Sequence, residues 1–252
     1  MKLRSYLGSI RWTILEAFNR RDFSLAGSGP IVSFTFDDFL KSALQIGGSI
    51  LKSYGVRGTY YAAMGLMDRA NDIGGHFSAA DLVHLLEDGH ELGSHTFGHL
   101  SGRSSSLRDF QADVMMGMKA VNHFTGGGLS HQFSYPRGHA TFRAKRRIGV
   151  IFSSCRGIIP GINESPVDLN LLRANSLYSR SFNIDAIEQL FEANERYKGW
   201  LIFYTHDISE NPSPIGCRPD EFESVVRLAI KKQVSIVSVG EAVKYDMRHR
   251  IS

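Results

Sequence analysis

Hydrophobic and polar positions divide this chain into short runs with two spacings. Residues 31–38 read Ile-Val-Ser-Phe-Thr-Phe-Asp-Asp, where Phe34 and Phe36 alternate with Ser33 and Thr35 as in a half-buried strand and Gly29-Pro30 marks the start. Residues 40–54 then place Leu40, Ala43, Leu44, Ile50 and Leu51 at helical intervals, despite Gly47-Gly48, and Gly55 stops them. β-Branched and aromatic residues over 56–63 predict a second strand. Ser78 reads as the cap of a helix over 79–88 that Gly89 ends, and 90–94 as a brief strand. A longer amphipathic helix is predicted over 107–124, with Val114, Met115, Met118 and Val121 on one side. Further strands are predicted at 131–135, 150–153, 171–174, 200–204 and 234–237. A basic helix follows the first of these and runs to Arg147, with others at 184–197, 222–232 and 239–247. Glycine, proline and polar residues mark 68–77, 156–170 and 211–219 as loops.

Strands alternating with helices over the whole length, without a Pro/Ser-rich linker or a short internal repeat, imply one α/β domain with a mainly parallel sheet. A closed barrel and an open doubly wound sheet both satisfy the pattern. No GxGxxG or GxxxxGK[ST] loop follows the first strand, so nothing points to a nucleotide. Polar residues gather instead at the C-terminal ends of predicted strands: Asp37 and Asp38, His95 and His99, Arg137, and His206. In a barrel those ends form one face, where such folds carry their chemistry.

Composition adds less. With 252 residues, 42% hydrophobic and 21% charged, the chain has the profile of an ordinary globular protein with a single large core. Its 29 basic and 25 acidic residues are interspersed, so a formal charge of +4 gives no nucleic-acid footprint. Cys155 and Cys217 lie far apart outside any CxxC spacing, which suggests neither a disulfide scaffold nor a cysteine metal site. Residues 1–28 form a basic amphipathic segment, expected to be helical and packed on the domain formed by residues 29–252. Its charges interrupt any signal-peptide core, and no run reaches the ~18 to 20 apolar residues of a membrane span. The expectation is a cytoplasmic protein whose basic helix could touch the inner membrane surface.

The strand-end residues suggest a hydrolase. Two adjacent carboxylates repel each other unless a cation or a proton intervenes, so Asp37-Asp38 reads as one base and one metal ligand. An isolated Asp-Asp could equally be a helix cap beside a solvated acid. His95 and His99, four apart, can face one ion together. With Asp38 they make two nitrogens and one carboxylate, the usual protein share of a catalytic divalent site that leaves positions open. Zn2+ suits these ligands best, with Ni2+, Co2+ or Fe2+ also possible. Such an ion would acidify water and polarise a carbonyl. Asp37 could then accept a proton, and His206, on a separate strand, could return one to a leaving group.

The segments Thr35-Phe36-Asp37-Asp38, His95-Thr96-Phe97-Gly98-His99, Phe133-Ser134-Tyr135-Pro136-Arg137-Gly138 and Phe203-Tyr204-Thr205-His206 resemble, in order, motifs of the polysaccharide deacetylases, carbohydrate esterase family 4. The resemblance implies a distorted (β/α) barrel, usually seven-stranded, and metal-dependent removal of acetyl groups from sugars. By motif match, Asp37 would be the base, Asp38, His95 and His99 the metal ligands, and His206 the acid. Tyr135, Pro136 and Arg137 would meet the substrate, with the Arg137 N–H on the oxyanion. The chain departs from the pattern in three places. Ser134 stands where the family often has an arginine that braces the catalytic aspartate, and Arg137 replaces a frequent tyrosine. The fourth motif, whose acid orients the histidine, has no match in residues 151–157, leaving Arg173 and Asp207 as candidates.

The leading expectation is therefore a deacetylase of a sugar polymer, oligosaccharide or lipid-linked saccharide, conceivably in exopolysaccharide synthesis. Related barrels that open cyclic imides or ureides are an alternative, against which the full Asp-His-His set argues. A noncatalytic carbohydrate-binding protein using Tyr60, Tyr61, Tyr135 and Tyr204 as platforms is a third reading, although those tyrosines fit strand core better.

Overall fold

A computed structural model describes residues 15–249, apart from Ala26, Ser28 and residues 127–131. The expected N-terminal helix falls mostly on residues 1–14, outside the described residues. The strands are β1 (Asp22–Phe23), β2 (Ile31–Asp37), β3 (Thr59–Ala62), β4 (Ala70–Asn71), β5 (Gly74–Gly75), β6 (Glu91–Ser94), β7 (Gln132–Ser134), β8 (Ser154–Arg156), β9 (Val167–Asp168), β10 (Asn175–Ser176), β11 (Trp200–Thr205) and β12 (Ser235–Ile236). The helices are α1 (Ser49–Ser53, after a π-wound turn over Ala43–Gly48), α2 (Ala79–Glu87), α3 (Leu107–Phe124), α4 (Phe142–Ile148), α5 (Ile184–Tyr197), α6 (Pro219–Lys231) and α7 (Val239–His249).

Seven strands run β10-β11-β2-β3-β6-β7-β8, each parallel to its neighbour, and β12 adds in parallel to the start of β2. The curled sheet with its helices is a distorted (β/α) barrel, as expected from the motifs. Every residue of β2 is buried, so its alternation does not mark a solvent face. Phe34 and Phe36 join the cluster under α6, with Phe222 at 5.5 and 5.6 Å between ring centroids. Ser33 and Thr35, on the opposite side, are satisfied within the sheet: Trp200 Nε1 donates to Ser33 Oγ, and Thr35 Oγ1 donates to the Phe203 carbonyl. Ser33 and Thr35 thus incur no unpaired-group penalty.

The barrel is irregular between β8 and β10. There residues 157–174 close the gap with single contacts, a parallel bridge of Arg156 to Leu172 and an Ala174 N–H to Ile159 carbonyl bond, instead of the strand predicted at 171–174. The strand predicted at 150–153 begins instead at Ser154, because Ile151 and Phe152 still donate back to the Ile148 carbonyl as the chain leaves α4. Val150 is left 81% exposed.

Residues 15–25 are fastened to this body. Asp22–Phe23 pairs antiparallel with Val167–Asp168. The fully buried Lys145 donates to the Leu15 carbonyl at 2.5 Å and pairs with Asp168 at 2.6 Å, while Asp168 Oδ1 accepts the Arg21 N–H. Among the described residues no helix is long and apolar enough to cross a membrane.

Candidate metal centre and catalytic site

Asp37 is the last residue of β2, and Asp38 follows it at a sharp turn in which Asp38 and Phe39 take positive φ angles of 60° and 53°. On the next strand but one, β6 ends at Ser94, and the chain turns through Thr96 (φ 64°) to His99 (φ 57°). Arg137 (φ 58°) sits in the turn after β7. Of the nine non-glycine residues with positive φ among those described, five are therefore in the loops of this one face. Non-glycine residues resist this conformation, so surrounding structure must hold them. For the His95–His99 loop the holder is α3. The Asp113 carboxylate accepts the N–H groups of Gly98 (2.9 and 3.1 Å) and Leu100 (3.2 Å), and its carbonyl accepts that of Phe97. Gly117 lets the helix lie against the Thr96 carbonyl, where any Cβ would collide.

These loops bring Asp38, His95 and His99 together, with one ligand atom from each lying within 4.8 Å of the others. Asp38 Oδ1 is 3.4 Å from His95 Nε2 and 3.1 Å from His99 Nε2, and it is buried without a hydrogen-bond partner. His95 Nδ1 lies 2.8 Å from the Ser134 carbonyl, which can only accept, so Nδ1 carries the proton and Nε2 offers its lone pair inward. Burial pushes the His95 pKa down to about 4; the Asp37 and Asp38 carboxylates oppose this and the His99 ring adds to it. A neutral imidazole cannot pair electrostatically with Asp38, yet it is what a metal requires. Bonds of ~2.0 to 2.1 Å at a tetrahedral ion would separate two ligand atoms by about 3.3 Å, close to the distances found. An orphaned carboxylate oxygen beside an inward nitrogen lone pair is a donor set that fits a divalent ion.

Asp37 is held apart from this set. Arg156, at the end of β8 and fully buried, donates through one terminal nitrogen, Nη2, to Asp37 Oδ1 and to Ser134 Oγ (2.6 Å). Burial alone would raise the Asp37 carboxyl, but the Arg156 guanidinium, with His95, His206 and the Arg156 hydrogen bond, brings it down to about 2. His206, just past β11, is near enough for its charge to act on Asp37, and its Nδ1 is buried without a partner. Its ring neighbours are Tyr178 and Tyr204, at 6.0 and 6.4 Å.

The other candidates fall into place around these groups. The Arg137 side chain is exposed on the same face. Tyr135 is 1% exposed, its ring against Phe133 and its hydroxyl on the Asn170 carbonyl, so its side chain belongs to the core and is not available to a substrate. Pro136 is buried beside it. Neither candidate partner for His206 reaches it. Asp207 accepts from Ser213 N–H and Oγ and braces its own loop, and Arg173 pairs with Glu16. Tyr60, Tyr61 and Tyr204 are buried strand residues and not sugar platforms. Sequence reading missed Arg156. The available sign was an arginine inside the run Ser154-Cys155-Arg156-Gly157-Ile158-Ile159, where a strand would force it inward.

Fold and site together define a (β/α)-barrel protein with a carboxylate and two imidazoles converging at the C-terminal ends of its strands. Residues 25–148 match the family model described as polysaccharide deacetylase. The fold is shared with a family 4 acetyl xylan esterase from Clostridium thermocellum, solved in complex with a cobalt ion (18% identity, TM-score 0.57, covering 84% of this chain and 89% of that one). It is shared too with Bacillus subtilis PdaA, a family 4 carbohydrate esterase (12%, 0.58, 92% and 88%). A third likeness is to the Xyl-CE4 domain of a xylanase from the hindgut metagenome of Trinervitermes trinervoides (15%, 0.55, 86% and 91%). None of the curated proteins compared matches the sequence. Residues 25–148 thus resemble the polysaccharide deacetylases, and the chain's neighbours in fold are family 4 carbohydrate esterases.

Proposed function

We propose that this protein is a metal-dependent deacetylase that hydrolyses acetyl groups, most simply N-acetyl groups, on a sugar polymer, oligosaccharide or lipid-linked saccharide. The observation that carries the reading is the separation of the two acids: Asp38 shares its oxygen with two imidazoles, while Asp37, one residue away, is claimed by Arg156. Asp38, His95 and His99 would hold a divalent ion, Zn2+ by ligand type, which would supply Lewis acidity and make water a better acid. Asp37, its carboxyl held low by the Arg156 guanidinium, accepts the proton of the attacking water. The Arg137 N–H, at a turn fixed by Pro136 and Gly138, stabilises the developing oxyanion. His206, whose buried Nδ1 has no partner among the described residues, protonates the departing nitrogen.

Acetate release from N-acetylglucosamine oligomers, followed alongside metal analysis, tests this. Native protein should hold one divalent ion per chain and lose turnover on chelation. Asp37→Asn should keep the ion and lose roughly 10²- to 10⁴-fold in rate. Equal turnover in native and variant would remove Asp37 from the mechanism.

The basic segment at residues 1–28 extends the proposal to a cytoplasmic enzyme resting on an acidic membrane surface. Lys2, Arg4 and Arg11 are accompanied by no acidic residue before Glu16. Phe18 and Phe142, 54% and 46% exposed and in edge contact, adjoin the exposed Arg143, Arg146 and Arg147 of α4. Such a mix of aromatic and basic side chains suits a lipid interface. Co-sedimentation with phosphatidylserine vesicles but not with phosphatidylcholine vesicles is expected; equal recovery with both would defeat this extension.

A further inference from the structure

We propose that Arg156 is the positioning residue of the reaction, aiming the Asp37 carboxylate from the neighbouring strand end, with Ser134 as the guide that fixes its approach. The inference rests on the deacetylase reading for its chemistry, but its geometry is independent of that reading.

Arg156 and Ser134 are register partners on the β8–β7 ladder, so both side chains leave the sheet at one level. The guanidinium is 0% exposed, with its carbon 4.9 Å from the Tyr204 ring centroid and 5.2 Å from that of Tyr61. One terminal nitrogen reaches Asp37 and Ser134; the other donates to the Gly157 carbonyl at 2.8 Å. Two rings and two anchored nitrogens leave the fork little freedom to rotate. Asp37 is its only carboxylate partner among the described residues.

Stability alone gives a weak reason for this arrangement. A buried ion pair is often no better than well-packed apolar residues, and here Nε of Arg156 is left without a hydrogen-bond partner. The feature the pair does secure is direction. An aspartate at the end of a strand can rotate about two side-chain bonds, and proton transfer needs it at one angle. Misplacement of a reacting group by about 1 Å costs roughly 100-fold in rate. A serine at 134 is small enough to leave the guanidinium room, and its Oγ accepts from Nη2. Because positions 134 and 156 are paired across the ladder, the same guanidinium could reach Asp37 from either strand.

That last point gives the test. Arg156→Gln should retain its metal and a KM within about threefold of native while kcat falls about 100-fold. Arg156→Lys, which keeps the charge but not the fork, should fold and lose about 10-fold. The exchange Ser134→Arg with Arg156→Ser should recover at least about 10-fold over Arg156→Ser alone. A kcat of Arg156→Gln within threefold of native, or no recovery by the exchange, overturns the inference while leaving Asp37→Asn to judge the deacetylase reading separately. A readout without turnover is the unfolding midpoint of Asp37→Asn, Arg156→Gln and the double variant. If Arg156 acts on Asp37, the double variant falls no further than the worse single one; additive losses count against the pairing.

Discussion

At the scale of single residues, this structure shows how burial selects protonation. His90 is 3% exposed; its Nδ1 accepts the Gly58 N–H at 3.1 Å and its Nε2 has no partner. Burial, reinforced by the nearby Arg57 guanidinium, brings its pKa down to about 4 from 6.5. The folded protein therefore refuses a proton that the unfolded chain accepts near pH 6.5, so the stabilisation is complete above that value and is lost as the pH falls toward about 4. Urea denaturation at steps from pH 7 to pH 4 should show a flatter decline for His90→Gln than for native protein; parallel declines would mean that His90 does not report. At this scale the sequence was legible for Asp38, His95 and His99 as a group, which the structure brings together, because the adjacent aspartates and the four-residue histidine spacing gain meaning in combination. Arg156 was not legible. Its role depends on which strand lies beside β7, and that pairing joins segments whose spacing carries no local pattern.

At the scale of elements, helices and strands were readable because apolar periodicity and caps act locally. Ser78 caps its helix as its position suggested, in a capping box with Asp81, and Leu107–Phe124 keeps its predicted bounds. The failures lie where tertiary contacts set the boundary, at β8 and in residues 157–174, since single bridges leave no periodicity behind. Helix α3 also has a task its amphipathic pattern could not announce, which is to hold the loop carrying both imidazoles through Asp113. Asp113→Ala should release two backbone donors, those of Gly98 and Leu100, and weaken metal binding by about 10- to 100-fold with the helix intact. Isothermal titration with Zn2+, set against far-ultraviolet circular dichroism, separates that outcome from unfolding; unchanged affinity would reduce Asp113 to a loop brace.

At the scale of the whole molecule, some of the contacts that join distant parts of the chain are buried ion pairs. Lys145 is one such point, since it fastens the Leu15 carbonyl and neutralises Asp168 in a dry interior. Lys145→Met should cost roughly 3 to 5 kcal/mol by stranding the Asp168 charge, measurable by chemical denaturation, and Lys145→Met with Asp168→Leu should regain much of it. No recovery in the double variant would locate the cost in the lost Leu15 contact. Strand β12 carries a quieter dependence of the same sort. It lies along the first two residues of β2, whose far end leads into both acids, and among the described residues the helix 239–249 follows it. A shortened protein ending near Gln233 would keep Asp37, Asp38, His95, His99, Arg137 and His206. Its central strand would nevertheless have a bare flank at the root, so the tail of the chain is part of what keeps the two acids in place.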